Sequence, residues 1–142
     1  MPLLHMLDTD IASYIIKRHP PAIERRLAEL PLSHVCVSAI TRAELMYGLA
    51  RLPREHQLQV GVRAFLRLVR ALPWDGEAAD RYAAIRHDLT RTGHLIGELD
   101  MMIAAHALAS NAVLVTNNVK HYARIEAPVQ LANWADAPES TA

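Results

Sequence analysis

The stretch LDMMIAAHALASNAVLVTNN, residues 99–118, decides the fold. Leu99 to Ser110 is rich in Ala and Met and predicts a helix, with Asp100 in its first turn. Val113-Leu114-Val115 is a short β-branched run and predicts a strand. Thr116-Asn117-Asn118 ends it as a polar turn. A helix that feeds an apolar strand, closed by polar residues, is the repeating unit of an α/β protein.

The same grammar recurs upstream. Leu3 to Leu7 is an apolar run that stops at Asp8-Thr9-Asp10, after which Ile11, Tyr14, Ile15 and Ile16 resume at helical spacing. Pro20-Pro21 ends that helix and opens another over Ala22 to Leu30, closed by Pro31. His34 to Ser38 predicts a second strand, and Thr41-Arg42-Ala43-Glu44 has the form of a capping box that opens a helix to about Leu52. Val62, Phe65, Leu66 and Val69 mark an amphipathic helix after Pro53, with Arg63, Arg67 and Arg70 on an adjoining stripe. Leu72-Pro73-Trp74 is a brief extended piece. Asp75 is placed to cap a helix over Ala78 to Thr92 that Gly93 ends. Downstream, His121 to Arg124 form one helical turn and Val129-Gln130-Leu131 a last edge strand. The expected fold is α/β, three layers, with a central, mainly parallel sheet flanked by helices on both faces. One domain over residues 1–135 and a flexible tail over 136–142 complete the division.

Composition narrows the function classes. The 142 residues are 51% apolar, enough for one ordinary core and too hydrophobic for disorder. Fifteen Lys plus Arg balance fifteen Asp plus Glu, which argues against an all-over nucleic-acid coat but leaves room for a local basic stripe. The single cysteine, Cys36, lies between Val35 and Val37 and predicts a buried, unreactive thiol in a reducing cytoplasm. The first residues carry no basic leader, and no apolar run reaches membrane-spanning length, so neither secretion nor a membrane is expected.

In a parallel sheet, ligands bind beyond the carboxyl ends of the strands. Asp8, Glu44 and Thr116 to Asn118 fall there, and Asp100 opens the helix that leads back to that rim. Each has a local explanation: Asp8 as a cap, Glu44 as the capping-box partner of Thr41, Asp100 as a complement to its helix dipole. Capping alone does not require carboxylates from three distant segments to share one rim, whereas a divalent-cation site does. The eight histidines show no HExxH or other paired spacing, so zinc has no support.

Four segments then carry a resemblance: Leu7 to Asp10, Ser38 to Gly48, Ile96 to Ala107 and Leu114 to Asn118. In this order and spacing the chain resembles a PIN-domain ribonuclease toxin of the VapC type over nearly its whole length. The resemblance implies a Mg2+- or Mn2+-dependent endoribonuclease with Asp8, Glu44 and Asp100 as catalytic and metal-binding acids, and Thr9 and Thr116 close by. It further implies a homodimer and a VapB-type antitoxin that covers the acidic pocket. The Thr116-Asn117-Asn118 turn matches a branch similar to toxins that cut initiator tRNA in the anticodon loop.

The chain departs from that pattern where it has Asn118 in place of a fourth acid. Glu98 either restores that charge from another direction or is a solvated loop residue. Lys120-His121-Tyr122 stands where relatives commonly have basic, acidic and aromatic residues, which makes His121 an RNA-contacting candidate together with Lys120 and Arg42. Arg63, Arg67 and Arg70 read as a solvated ridge. Two rival readings remain at this point: a catalytically weak PIN scaffold acting as a binding module, and a nuclease with another nucleic-acid substrate.

Overall fold

Residues 3–135 are described by the computed structural model; the expected tail over 136–142 lies outside them. The element order is β1 (His5–Leu7), α1 (Thr9–Lys17), α2 (Pro21–Ala28), a 3-10 turn (Leu32–His34), β2 (Val35–Ser38), α3 (Ala39–Ala50), α4 (Gln57–Leu68), β3 (Arg70–Leu72), α5 (Gly76–Thr92), α6 (Glu98–Ala109), β4 (Val113–Val115), α7 (Val119–Tyr122) and β5 (Leu131–Ala132). The strands form one sheet in the order β3-β2-β1-β4-β5, and every pairing is parallel. Among the described residues no helix is long and apolar enough to cross a membrane.

The sheet is central because its strands are apolar on both faces. In register, Met6 pairs with Cys36 and Leu114, while Leu7 pairs with Val37 and Val115. Side chains alternate along a strand, so the two rows point in opposite directions. Met6, Cys36 and Leu114 pack with Ile85 and Leu89 of α5 and with Ile103, Ala104 and Ala107 of α6. Leu7, Val37 and Val115 pack with Ile11 of α1, Leu45 and Leu49 of α3, and Val62 and Phe65 of α4. Cys36 is fully buried, and burial pushes its thiol up to about 12, so it is inert at neutral pH.

Local signals set most boundaries. Asp75 accepts a hydrogen bond from the Ala78 amide at 3.1 Å and starts α5 at Gly76. Gly93 ends it with φ +71°, a conformation that glycine adopts without a side-chain clash. The capping box is a correction. Helix α3 begins at Ala39, capped by the Ser38 hydroxyl, which accepts from the Ile40 amide at 3.0 Å. Thr41 is therefore inside the helix and buried, and Glu44 is free to turn outward to another partner. Strand β3 also lies two residues earlier than the extended piece expected at Leu72 to Trp74, because Pro73 has no amide to give to a ladder.

The two-faced packing gives a direct expectation for stability. Leu114→Ala, at a fully buried site in the sheet, lowers the unfolding free energy by about 2–5 kcal/mol. Val60→Ala, 72% exposed on α4, changes it by less than about 0.5 kcal/mol in the same urea titration.

Candidate active site at the switch point of the sheet

Strands β1 and β4 are neighbours, but the chain leaves them in opposite directions: β1 leads through α1 towards β2, and β4 leads through α7 towards β5. Such a reversal opens a crevice at the carboxyl ends of the two strands. Asp8 is the residue after β1 and Thr116 the residue after β4, so both stand at that crevice.

Asp8 is 4% exposed. Its Oδ1 accepts from the Ile11 amide at 2.9 Å as the cap of α1, and the Thr116 hydroxyl donates to its carboxylate. Burial, together with the nearby charges of Asp10 and Asp100, raises its pKa to about 6 despite those two hydrogen bonds. Capping thus accounts for one oxygen of Asp8 but not for the burial of a carboxylate beside two others.

Asp100 lies in the first turn of α6 and is half-buried. The Tyr122 hydroxyl donates to it, and His121 Nε2 stands 3.4 Å from its Oδ2. Tyr122 is 1% exposed; burial and the Asp100 charge drive its phenol far above the usual range, so it stays a proton donor to that carboxylate. Gly97 leaves room for the carboxylate, since a Cβ there would sit 3.3 Å from Asp100 Oδ2.

Glu44, on α3, takes a hydrogen bond on Oε1 from the Thr9 hydroxyl at 2.6 Å, and Thr9 Oγ1 lies 3.1 Å from Thr41 Oγ1. Glu44 is thereby tied to the residue next to Asp8, while the charges that act on Asp8 itself are Asp10 and Asp100. Asp100 therefore lies within electrostatic range of Asp8, and Glu44 is tied to Thr9, the residue next to Asp8. Among the described residues no three His, Cys, Asp or Glu side chains already form a metal cage.

The remaining sequence candidates divide clearly. Thr116 Oγ1 accepts from the Asn118 amide at 2.9 Å, which folds the turn back over the end of β4. Asn117 is exposed and accepts from Asn133 Nδ2 at 3.4 Å. Lys120 and His121 lie on α7 at the same rim. Glu98 faces elsewhere: it opens α6, pairs with Arg86 at 2.6 Å and accepts from the Tyr82 hydroxyl at 3.1 Å. That pair is exposed, and its charges face each other across α5 and α6. Arg42 lines a separate small cleft with Met46 of α3 and Arg63, Leu66 and Arg67 of α4.

Two residues stand out only in three dimensions. Tyr122 is legible in the sequence as an apolar aromatic, but nothing local marks its hydroxyl as a partner for Asp100. His106, buried in α6, lies 2.7 Å from Ser38 Oγ and so ties α6 to the cap of α3; the two residues are 68 positions apart in sequence.

The donor set fits a hard dication. Asp8, Asp100 and Glu44 offer oxygen, Thr9 and Thr116 add hydroxyls, and Mg2+ or Mn2+ needs only one or two direct carboxylates with water and phosphate completing the shell. A buried carboxylate next to another is the electrostatic situation that a cation relieves.

Known proteins resemble this chain over most of its length. The PIN domain family matches residues 5–127. The chain is 35% identical over 133 residues to the Rickettsia felis protein named Ribonuclease VapC2, covering 93% of this chain and 98% of that one. It is 38% identical over 133 residues to the Salmonella typhimurium protein named tRNA(fMet)-specific endonuclease VapC, with the same coverage. Two solved structures superpose closely. DNA-bound VapBC from Salmonella typhimurium aligns at TM-score 0.85 and 35% identity over 93% of this chain and 98% of that chain. VapBC2 from Rickettsia felis bound to a promoter DNA fragment aligns at 0.84 and 34%, over 93% and 99%. The chain belongs to the PIN-domain family, on its VapC branch.

The raised pKa of Asp8 has a measurable sign. The folded state holds this proton up to about pH 6 and the unfolded chain only to about 3.8, so folding stability falls as pH rises through that window. In EDTA, Asp8→Asn keeps the cap acceptor and removes the penalty. It is expected to exceed the parent in stability above pH 6, by up to about 3 kcal/mol, with the difference closing near pH 4 in thermal melts.

Proposed function

We propose that the chain is a Mg2+- or Mn2+-dependent endoribonuclease, the toxin of a VapBC-type toxin–antitoxin pair, restrained by a VapB-type antitoxin. The observation that carries this reading is the buried Asp8 carboxylate set against Asp100 at the switch point. It occurs in a chain that aligns nearly end to end with proteins named as VapC ribonucleases. The structural relatives from Salmonella typhimurium and Rickettsia felis are VapBC complexes, which supports the antitoxin. A homodimer and a cytoplasmic setting belong to the same reading, and the buried thiol of Cys36 is compatible with it.

The residues divide the work. Asp8 and Asp100 would hold the ion, with Glu44 at its side. Bound there, the ion would supply Lewis-acid polarisation of the phosphoryl group and a lowered pKa for the attacking water. Thr116 and the Ile11 amide hold Asp8 in place, and the Tyr122 hydroxyl holds Asp100, so neither carboxylate has to reorganise when phosphate arrives. Glu44, steadied by Thr9, accepts a proton from the attacking water. The water oxygen bonds to phosphorus as the bond to the ribose 3′ oxygen breaks and that oxygen takes a proton from solvent, leaving a 5′-phosphate and a 3′-hydroxyl without use of the neighbouring 2′-hydroxyl. Initiator tRNA is the favoured substrate within this reading, on the strength of the Salmonella relative's name.

The test is end-mapping of tRNA and total RNA cut by the purified chain with Mg2+ or Mn2+. Cleavage should stop in EDTA, give 5′-phosphate ends, and fall on the order of a hundredfold or more in Asp100→Asn. Cyclic phosphate ends formed in EDTA would overturn the metal mechanism, and uncut RNA under all conditions would leave a binding module.

A further inference from the structure

Beside the acid pair, and sharing His121 with it, is an open cleft of about 680 Å3 walled by Asn117, Asn118, Lys120, His121, Arg124 and Asn133. We infer that this cleft, between the β4–α7 turn, α7 and the end of β5, holds one unpaired nucleotide of the RNA next to the bond being cut. The Asn117 and Asn118 carboxamides read the base, and Lys120 and Arg124 hold the flanking phosphates. The inference rests on the ribonuclease reading and extends it to how substrate is gripped and selected.

Four observations on this cleft agree. Its volume is that of a pocket for a small organic ligand, roughly 300–1,000 Å3, and so admits one nucleotide but not a duplex. No carboxylate lines it, although Asp100 stands 3.4 Å from one of its lining residues. Among the described residues Lys120 and Arg124 make no ion pair, so both charges remain available to phosphate. Asn117 keeps its amide donor and Asn118 both its donor and its acceptor, while Asn133 accepts from the Ala135 amide at 2.9 Å and donates to Asn117; the two turn carboxamides thus match the exposed edge of an unpaired base. The Asn117–Asn133 hydrogen bond at 3.4 Å spans from the turn to the residue after β5 and fixes the orientation of that wall. In a duplex the base edges are occupied and the deep groove is closed to side chains, so a cleft of this kind selects single-stranded or looped RNA.

A cationic surface away from the acids is a poorer match. The cleft of about 180 Å3 at Arg42, Arg63 and Arg67 has no carboxamide and includes none of the acid-site residues. It can attract phosphate but has nothing with which to distinguish bases. It serves as the control for charge.

The test compares equal reductions of charge in the full chain. With Asp8→Asn as the background to prevent cutting, anisotropy of a labelled unpaired RNA octamer is measured over a range of salt. Removing Lys120 and Arg124 together (K120A with R124A) should weaken binding roughly tenfold and lower the salt slope by about 0.7 for each phosphate that is no longer neutralised. The R63A with R67A pair should change binding less than about twofold. In the cleaving chain, Asn117→Ala should flatten the nucleotide preference at one position beside the cut in a randomised RNA pool.

Equal weakening by both charge pairs, or weakening confined to Arg63 and Arg67, would overturn the phosphate assignment. An unchanged preference in Asn117→Ala would overturn the base-reading assignment. Failure of the ribonuclease reading has a different signature: the background chain itself binds no RNA, before any residue of the cleft is altered.

Discussion

A carboxylate kept out of water at the point where a parallel sheet reverses its strand order is the constraint around which the rest of this molecule is arranged. Burying a charge is costly unless hydrogen bonds or a counter-ion compensate it. Asp8 has the Thr116 hydroxyl and the Ile11 amide, which offset only part of that cost, and its pKa still stands well above the ordinary value. Both compensating groups exist because of topology. Ile11 is available because α1 starts directly after β1, and Thr116 because β4 is the parallel neighbour of β1. A sheet with another strand order would leave the same aspartate either solvated or unsupported.

The strand order and both packed faces follow from patterns that a single chain displays openly. Short β-branched runs alternating with helical periodicity specify a parallel sheet, and Val113 to Val115 or Val35 to Val37 are unambiguous in that respect. Boundaries that depend on a polar side chain are less legible. Thr41 and Glu44 have the spacing of a capping box, yet Ser38 takes the cap three residues earlier, because its hydroxyl is already held 2.7 Å from His106 of α6. Local sequence cannot reveal a partner 68 residues away. The same holds for Tyr122, whose ring is visible as apolar but whose hydroxyl finds Asp100 only through the path of α7. Glu98 shows the reverse case: a charge two residues from Asp100 looks relevant in one dimension, but α6 turns it by two residues' rotation towards Arg86 on α5.

Zero net charge conceals a separation of charge that suits a polyanionic substrate. The acid side chains at the switch point gather a local negative field, which by itself would repel RNA. Cations flank it on several sides: Lys120 and Arg124 immediately beyond His121, Lys17 and Arg51 in the cleft that Thr9 and Glu44 line, and Arg42, Arg63 and Arg67 between α3 and α4. On the proposed reading, a strand approaching the acids would be held by the first group only if its path crossed α7. That geometric condition makes α7, a single turn of four residues, more consequential than its length suggests.

Helix α7 presents two faces to two different tasks. Tyr122 points inward and braces Asp100 with its hydroxyl, while Lys120 points outward into the open cleft, and His121 touches both. Where the PIN pattern commonly has an acid in this turn, an imidazole can accept or donate a proton, stack on a base, or face a carboxylate without adding negative charge. With Asn118 and His121 in place of acids, fewer negative charges crowd the switch point, and on the proposed reading a cation would rest mainly on Asp8 and Asp100. Neutral donors hold both carboxylates, Thr116 on Asp8 and Tyr122 on Asp100, and a shift of α7 would disturb the braced acid and the cleft beside it together.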